Sequence, residues 1–241
     1  MSAFAGVIEL GIHGRRGPRR GFVFDPHRLA LPCWAALAGE GPALLLTLDR
    51  HFDTVPPRAA TPRGLTPAQL DTHAREQLDV RNYDHLLAAM EAGVISDALV
   101  VARARPVGAV TEDWRGHQLI SAPTEDLLSA EWGTPLASPE GRRAHAAVQR
   151  ASRIILDVDL DCFTTPSDAD PTTVVPWPEG LIDDFVRPLG SEPFWDEVLA
   201  KCVGLTFARE PSHCGGLVSA GRLFEAAAQV LFVELLGADL P

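Results

Sequence analysis

Along the chain, apolar residues gather into short runs separated by turn-forming and charged stretches, and the runs alternate between strand-like and helix-like patterns. Ala43-Leu44-Leu45-Leu46-Thr47-Leu48 and Arg153–Asp161 are the strongest runs. Continuous apolar stretches of this length mark strands covered on both faces, as in a parallel sheet. Phe4–Leu10, Phe22–Phe24, Ala98–Ala102 and Val203–Ala208 predict further strands. Helical patterns occupy Leu29–Leu37, a segment starting at Thr66-Pro67, Asn82–Gly93, Glu140–Arg150, two short stretches before residue 203, and the Ala-rich Gly216–Leu236. Thr66 supplies a cap with proline in the first turn, and Gly93 a C-terminal stop. His13–Arg20, Thr54–Thr66 and Thr164–Pro178 read as loops, and Pro106–Pro139 as a long edge excursion. Strands alternating with helices predict an α/β fold on a mainly parallel sheet.

Length and charge narrow the function classes. At 241 residues the chain predicts one domain spanning 1–241. There is no uninterrupted apolar run of membrane-spanning length, and Met1–Leu10 lacks the basic start of a secretory signal, so no membrane partner is expected. A net charge of −11 argues against nucleic acid. It favours a cationic substrate or serves only solubility. Cys33, Cys162, Cys202 and Cys214 are widely spaced, which predicts a reducing, cytoplasmic setting and no structural zinc. Arg15, Arg16, Arg19 and Arg20 form the one basic cluster, read as a solvated loop or a contact for an acidic leader peptide.

The chemistry lies at the ends of the two strongest strands. Asp49, His51 and Asp53 follow the first, and Asp157, Asp159 and Asp161 close the second. Alternate side chains of an extended segment share a face, so each trio converges just past a strand's C-terminal end, where open parallel sheets bind ligands. Three carboxylates on one face repel each other and resist desolvation unless a cation neutralises them. The competing reading is a solvated strand end. Carboxylate and imidazole donors without thiolate suit Mn²⁺, and two such groups allow two ions that acidify a shared water.

This pairing of DxHxD with a later DxD strand resembles the arginase/ureohydrolase superfamily, whose members carry two Mn²⁺ ions on a three-layer α/β/α fold. Three further strings resemble the peptide arginase family. They are Phe24-Asp25-Pro26-His27-Arg28-Leu29-Ala30-Leu31, Asn82-Tyr83-Asp84-His85-Leu86-Leu87-Ala88-Ala89-Met90 and Ala208-Arg209-Glu210-Pro211-Ser212-His213-Cys214-Gly215-Gly216. Those enzymes convert arginine side chains of a ribosomally made precursor peptide to ornithine and release urea. The resemblance implies a first ion on His27, Asp49, Asp53 and Asp159, and a second on His51, Asp161 and the shared Asp49 and Asp159. It makes Asp157 an orienting residue behind the ligands, although sliding the register by two would select Asp157 and Asp159 instead. Glu210 is implied to pair with the substrate guanidinium, and His85 and His213 to deliver a proton to the leaving amine. The match departs from the family where His27 follows Asp-Pro rather than Gly-Gly-Asp, and where strict alignment would put the acid at Arg209.

His13, His73, His117 and His145 read as surface residues. The leading expectation is hydrolysis of an arginine-containing peptide with two Mn²⁺, Zn²⁺ or another divalent ion being the alternative. Other readings are a ureohydrolase for free arginine or agmatine, with Arg58 and Arg63 as candidate carboxylate anchors, a one-zinc deacetylase of the same superfamily, or a non-catalytic binding module. Oligomeric state is not legible.

Overall fold

The computed structural model describes residues 4–15, 17–102, 108–122, 138–168, 170 and 173–238. Its centre is an eight-stranded sheet of β1 (Val7–Gly14), β2 (Gly17–Phe24), β3 (Ala43–Leu48), β4 (Ile95–Val101), β5 (Asp113–Trp114), β6 (His117–Ala122), β7 (Ile154–Asp159) and, later in the chain, β10 (Cys202–Ala208). Their spatial order is β1-β2-β10-β7-β3-β4-β6-β5. The six inner strands run parallel, and only the outermost on each side, β1 and β5, pair antiparallel. A two-stranded hairpin, β8 (Thr164–Pro166) with β9 (Val174–Pro176), forms within the predicted Thr164–Pro178 loop.

Helices cover both faces, giving the predicted three layers. On one face lie α1 (Ala30–Ala38), α2 (Pro67–Glu76) and α3 (His85–Ala92), packed on Phe22, Phe24, Leu45 and Ile155. On the other lie α4 (Pro139–Arg150), α5 (Glu179–Val186), α6 (Glu192–Lys201) and α7 (Leu217–Ala228), packed on Leu44, Leu46, Leu156, Leu205 and Phe207. Leu44, Leu45 and Leu46 thus serve opposite cores in turn, which is why β3 is apolar throughout. Gly204 lets α1 approach β10, since a Cβ there would meet Leu37 Cδ2 at 2.4 Å and Arg20 O at 2.7 Å.

Between β3 and β7 the chain reverses its order. From β3 it proceeds outward through β4 to β6, then returns to β7 and proceeds the other way to β10. Loops leaving β3 and β7 therefore diverge, opening a crevice over the carboxyl ends of the central strands.

Several boundaries differ from expectation for identifiable reasons. His13–Arg20 belongs to the β1–β2 hairpin rather than a loop, with Gly14 opposite Gly17. Two of its arginines are committed. Arg19 donates to Cys202 O and Leu199 O, while Arg20 pairs with Glu9 at 2.7 Å and stacks on Phe22. Arg16 lies outside the described residues. The helix expected from Asn82 starts at His85, because Asn82 has φ of +62° and cannot continue a helix. The second acid strand stops at Asp159, and Leu160–Phe163 forms one tight turn. The last helix widens over Gln229–Leu235, with Leu236 N–H donating to Leu231 O. Of the expected 106–139 excursion, 108–122 carries the β5–β6 edge, and 106–107 and 123–137 lie outside the described residues.

Candidate metal centre

Four adjacent strands, β2, β10, β7 and β3, deliver their following residues to one place. His27 opens a short turn after β2, where Leu29 N–H donates to Pro26 O. Asp49 comes one residue after β3, and its Oδ1 accepts from His51 N–H at 2.7 Å, bending the DxHxD loop back on itself. Asp157 and Asp159 share the face of β7 that also presents Ile155. Asp161 is brought in differently from the strand-face expectation. Asp159 Oδ1 accepts from Asp161 N–H at 3.0 Å, so the first acid caps the turn that positions the second.

The donors meet as follows. His27 Nδ1 lies 3.1 Å from Asp159 Oδ2, 3.5 Å from Asp53 Oδ2 and 3.6 Å from Asp49 Oδ2. His51 Nδ1 lies 3.0 Å from Asp161 Oδ2 and 3.9 Å from Asp49 Oδ1. All six predicted ligand residues are therefore together. Asp49, Asp53, Asp159, Asp161 and His27 are buried, while the His51 side chain is 22% exposed at the mouth.

Asp157 stands behind this group. Its Oδ2 accepts from Thr47 Oγ1 at 2.8 Å and lies 2.9 Å from His27 Nε2, and its Oδ1 accepts from Thr206 Oγ1 at 2.5 Å. Burial would raise its pKa, but the His27 charge and these three bonds outweigh it and hold Asp157 low. An ionised carboxylate only accepts, so His27 Nε2 carries a proton in either charge state, and Nδ1 is the ring atom that faces the acids. Trp34 donates from Nε1 to Thr206 Oγ1 at 2.9 Å, extending the support to α1.

The electrostatics show why a cation belongs here. Burial, then neighbouring acids, push Asp49 and Asp159 well above the usual carboxylate range, and burial lifts Asp53 to about 6. His27 is raised despite its burial, chiefly by Asp157. In the bare protein, protons substitute for missing positive charge. His27 Nδ1, Asp53 Oδ1 and Asp161 Oδ2 are all buried without a hydrogen-bond partner. His27 Nδ1 and Asp161 Oδ2 lack one although Asp159 Oδ2 and His51 Nδ1 stand 3.1 and 3.0 Å away. Unpaired donors of this kind, oxygen-rich with imidazole, fit divalent ions.

The rim carries the remaining candidates. Glu210 follows β10 at φ of +34°, a backbone region that side-chain-bearing residues rarely adopt. Its Oε1 accepts from His27 N–H at 2.9 Å and from Asn82 Nδ2. Its Oε2 lies 2.9 Å from His213 Nδ1. His213, with a 39% exposed side chain, is held up to about 10 by Asp161 and Glu210. His85 is placed elsewhere. It is buried, its Nδ1 bonds Asn82 O at 2.8 Å, and its ring lies 4.2 Å from His27 and 5.4 Å from Trp34. Burial, then the His27 charge, push its pKa well below 6.5.

Thr47, Thr206, Asn82 and Trp34 were not singled out from the sequence. A lone Thr within each of two apolar strands was the available signal for the first two. Among the other histidines only His13 is exposed. His73 and His117 are half-buried and bond Thr61 Oγ1 and Ser96 O, and His145 is half-buried as well.

No family model and no curated protein matches the chain. Solved structures do resemble it. An arginase from Bacillus caldovelox shares 15% identity over 91% of this chain and 69% of its own, with a TM-score of 0.48. An arginase from Bacillus subtilis shares 15% over 91% and 72%, with a TM-score of 0.47. An agmatine ureohydrolase of Thermoplasma volcanium shares 14% over 88% and 63%, with a TM-score of 0.40. The chain thus spans less than two thirds of that last protein. Likeness this distant does not transfer an activity, so the chemistry is read from the side chains.

Proposed function

We propose that the chain is a binuclear metal hydrolase of the ureohydrolase kind, acting on arginine side chains of a peptide to give ornithine and urea. The supporting observation is the convergence of four buried carboxylates, Asp49, Asp53, Asp159 and Asp161, with His27 and His51, several of their atoms unpaired, above the switch point of the sheet. One ion would take His27, Asp49, Asp53 and Asp159, and the other His51, Asp161, Asp49 and Asp159. Bound there, two Mn²⁺ ions would acidify a water and polarise the guanidinium carbon.

The chain's own residues supply orientation. Asp157 fixes the proton on His27 Nε2, which leaves Nδ1 free to coordinate. Glu210 turns Oε2 to the mouth while Oε1 is anchored, and a carboxylate so placed pairs with a guanidinium through charge-assisted hydrogen bonds. His85 is shut behind His27, so it supports that ring and does not reach a leaving amine. An acidic chain also draws a cationic side chain toward the site.

A peptide substrate is favoured over free arginine by the placement of Arg58 and Arg63, the two candidate anchors for an α-carboxylate. The Arg58 side chain is 84% exposed and lies 3.9 Å from Asp79. Arg63 lines a separate cavity with Ala60, Thr61, Glu91, Trp114, Arg115 and His117. The test is incubation of the Mn²⁺-loaded chain with an internal-arginine peptide, free arginine and agmatine. The peptide should lose about 42 Da per converted residue, the mass difference of the proposed hydrolysis. Turnover of agmatine or free arginine alone would make it a small-molecule enzyme, and no turnover with any divalent ion would end the hydrolase reading.

A further inference from the structure

We propose that His213 is itself a metal ligand, making the outer position richer in nitrogen than the inner one. This deepens the two-ion reading and rests on it. His51, Asp161 and His213 each offer one donor atom, and these lie within 4.8 Å of one another, a group separate from that of His27, Asp49 and Asp159. The two rings approach edge to face with centroids 5.8 Å apart, each with Nδ1 toward the same carboxylate oxygen.

The closeness of these atoms and their lack of partners carry the inference. Asp161 is wholly buried, yet its Oδ2, with ring nitrogens at 3.0 and 3.7 Å, makes no hydrogen bond. His213 Nδ1 also makes none, although Glu210 Oε2 is 2.9 Å away. One donor atom from each ring and from the carboxylate thus gathers within 4.8 Å, the closeness a cation requires of its donors. His213 reaches it because Glu210 N–H donates to Asp25 O and His213 N–H to Glu210 O, which closes the chain into a turn beside the β10 end.

Two consequences follow. The inner position holds one imidazole among carboxylates, and the outer holds two. A second nitrogen shifts preference from Mn²⁺ toward Co²⁺ and Zn²⁺. A His213 engaged by an ion also leaves Glu210 Oε2 for the guanidinium, so His213 acts as a ligand in place of the proton-delivery role that resemblance implies.

The experiment uses the full chain, stripped with chelator and titrated with Co²⁺, following visible absorption and the metal retained after dialysis. The unaltered chain should hold two ions. His213→Ala should keep one tight ion, bind the other about 100-fold more weakly, and change the cobalt absorption band. His213→Asp, which retains a donor, should hold two ions with a shifted band, and it decides the matter if His213→Ala does not fold. Two ions with affinities within twofold and an unchanged band in both variants would overturn the role of His213 alone. An unaltered chain that never holds two ions would overturn the binuclear reading, and this inference with it.

Discussion

The inner and outer halves of the site are built in different ways. On the inner side, His27 is gripped at Nε2 by Asp157, at its backbone by Glu210 and across its face by His85, and Asp157 is itself held by Thr47 and Thr206. Strands β3, β7 and β10 and helix α1 all contribute. On the outer side, His51 and His213 are partly exposed, follow strand ends, and have ring nitrogens aimed only at carboxylates. The inner half is preset by the fold, whereas the outer half has no comparable scaffold and would depend on a bound ion for organisation. A rigid half can fix where the reaction occurs, and a looser half can admit substrate.

Substitutions can break this contrast. Asp159→Ala removes a group shared by both halves, so metal content should fall from two ions toward none and turnover by at least about 1,000-fold, measured by elemental analysis and mass spectrometry. Asp157→Ala leaves a buried imidazole and two hydroxyls unpaired and should destabilise the metal-free protein by about 3–5 kcal/mol in denaturant melts. His51→Ala, in the same melts, should cost under about 1 kcal/mol although it removes a proposed ligand. Equal losses would show that the halves do not differ.

Acidity offers a further test without substitution. Asp49, Asp53 and Asp159 have raised pKa values when folded, Asp53 at about 6, and His27 is raised too. Each binds its proton more tightly when folded, so its contribution is full at low pH and is lost as pH rises through the folded value. His85, lowered when folded, acts the other way below about pH 6.5, but three raised acids and His27 outweigh it. The metal-free melting temperature should therefore fall between about pH 4 and pH 8, with Asp53 alone worth on the order of 3 kcal/mol. Added Mn²⁺ should reverse the trend. A metal-free protein that gains stability over this range would contradict the buried-acid account. A milder effect on turnover is expected at Asn82→Ala, which frees Glu210 Oε1 on one side. KM for the peptide should rise about tenfold with kcat little changed.

Much of this was legible in the sequence, though not always for the reason first given. The apolar runs around Leu44–Leu46 and Ile154–Val158 located β3 and β7, because strands buried on both faces have no polar side. Residue types at the strand ends marked the donors. Their meeting does not follow from alternation alone, since Asp161 enters through a turn capped by Asp159, and His51 through a bend at Asp49. Asn82 was hidden because a left-handed residue before a helix reads as part of it. The hairpin at residues 7–24 was hidden because glycine and arginine resemble loop composition, while pairing with β10 and Glu9 decides the outcome.

Glu210 holds its carboxylate at a backbone angle that glycine would adopt freely. A library selected for heat resistance alone would be expected to drift toward glycine at that position, relaxing the chain while discarding the group proposed to hold the guanidinium. Endurance and turnover pull a single residue in opposite directions, so a hardier version of this protein is best sought in the helices, well away from the β10 end.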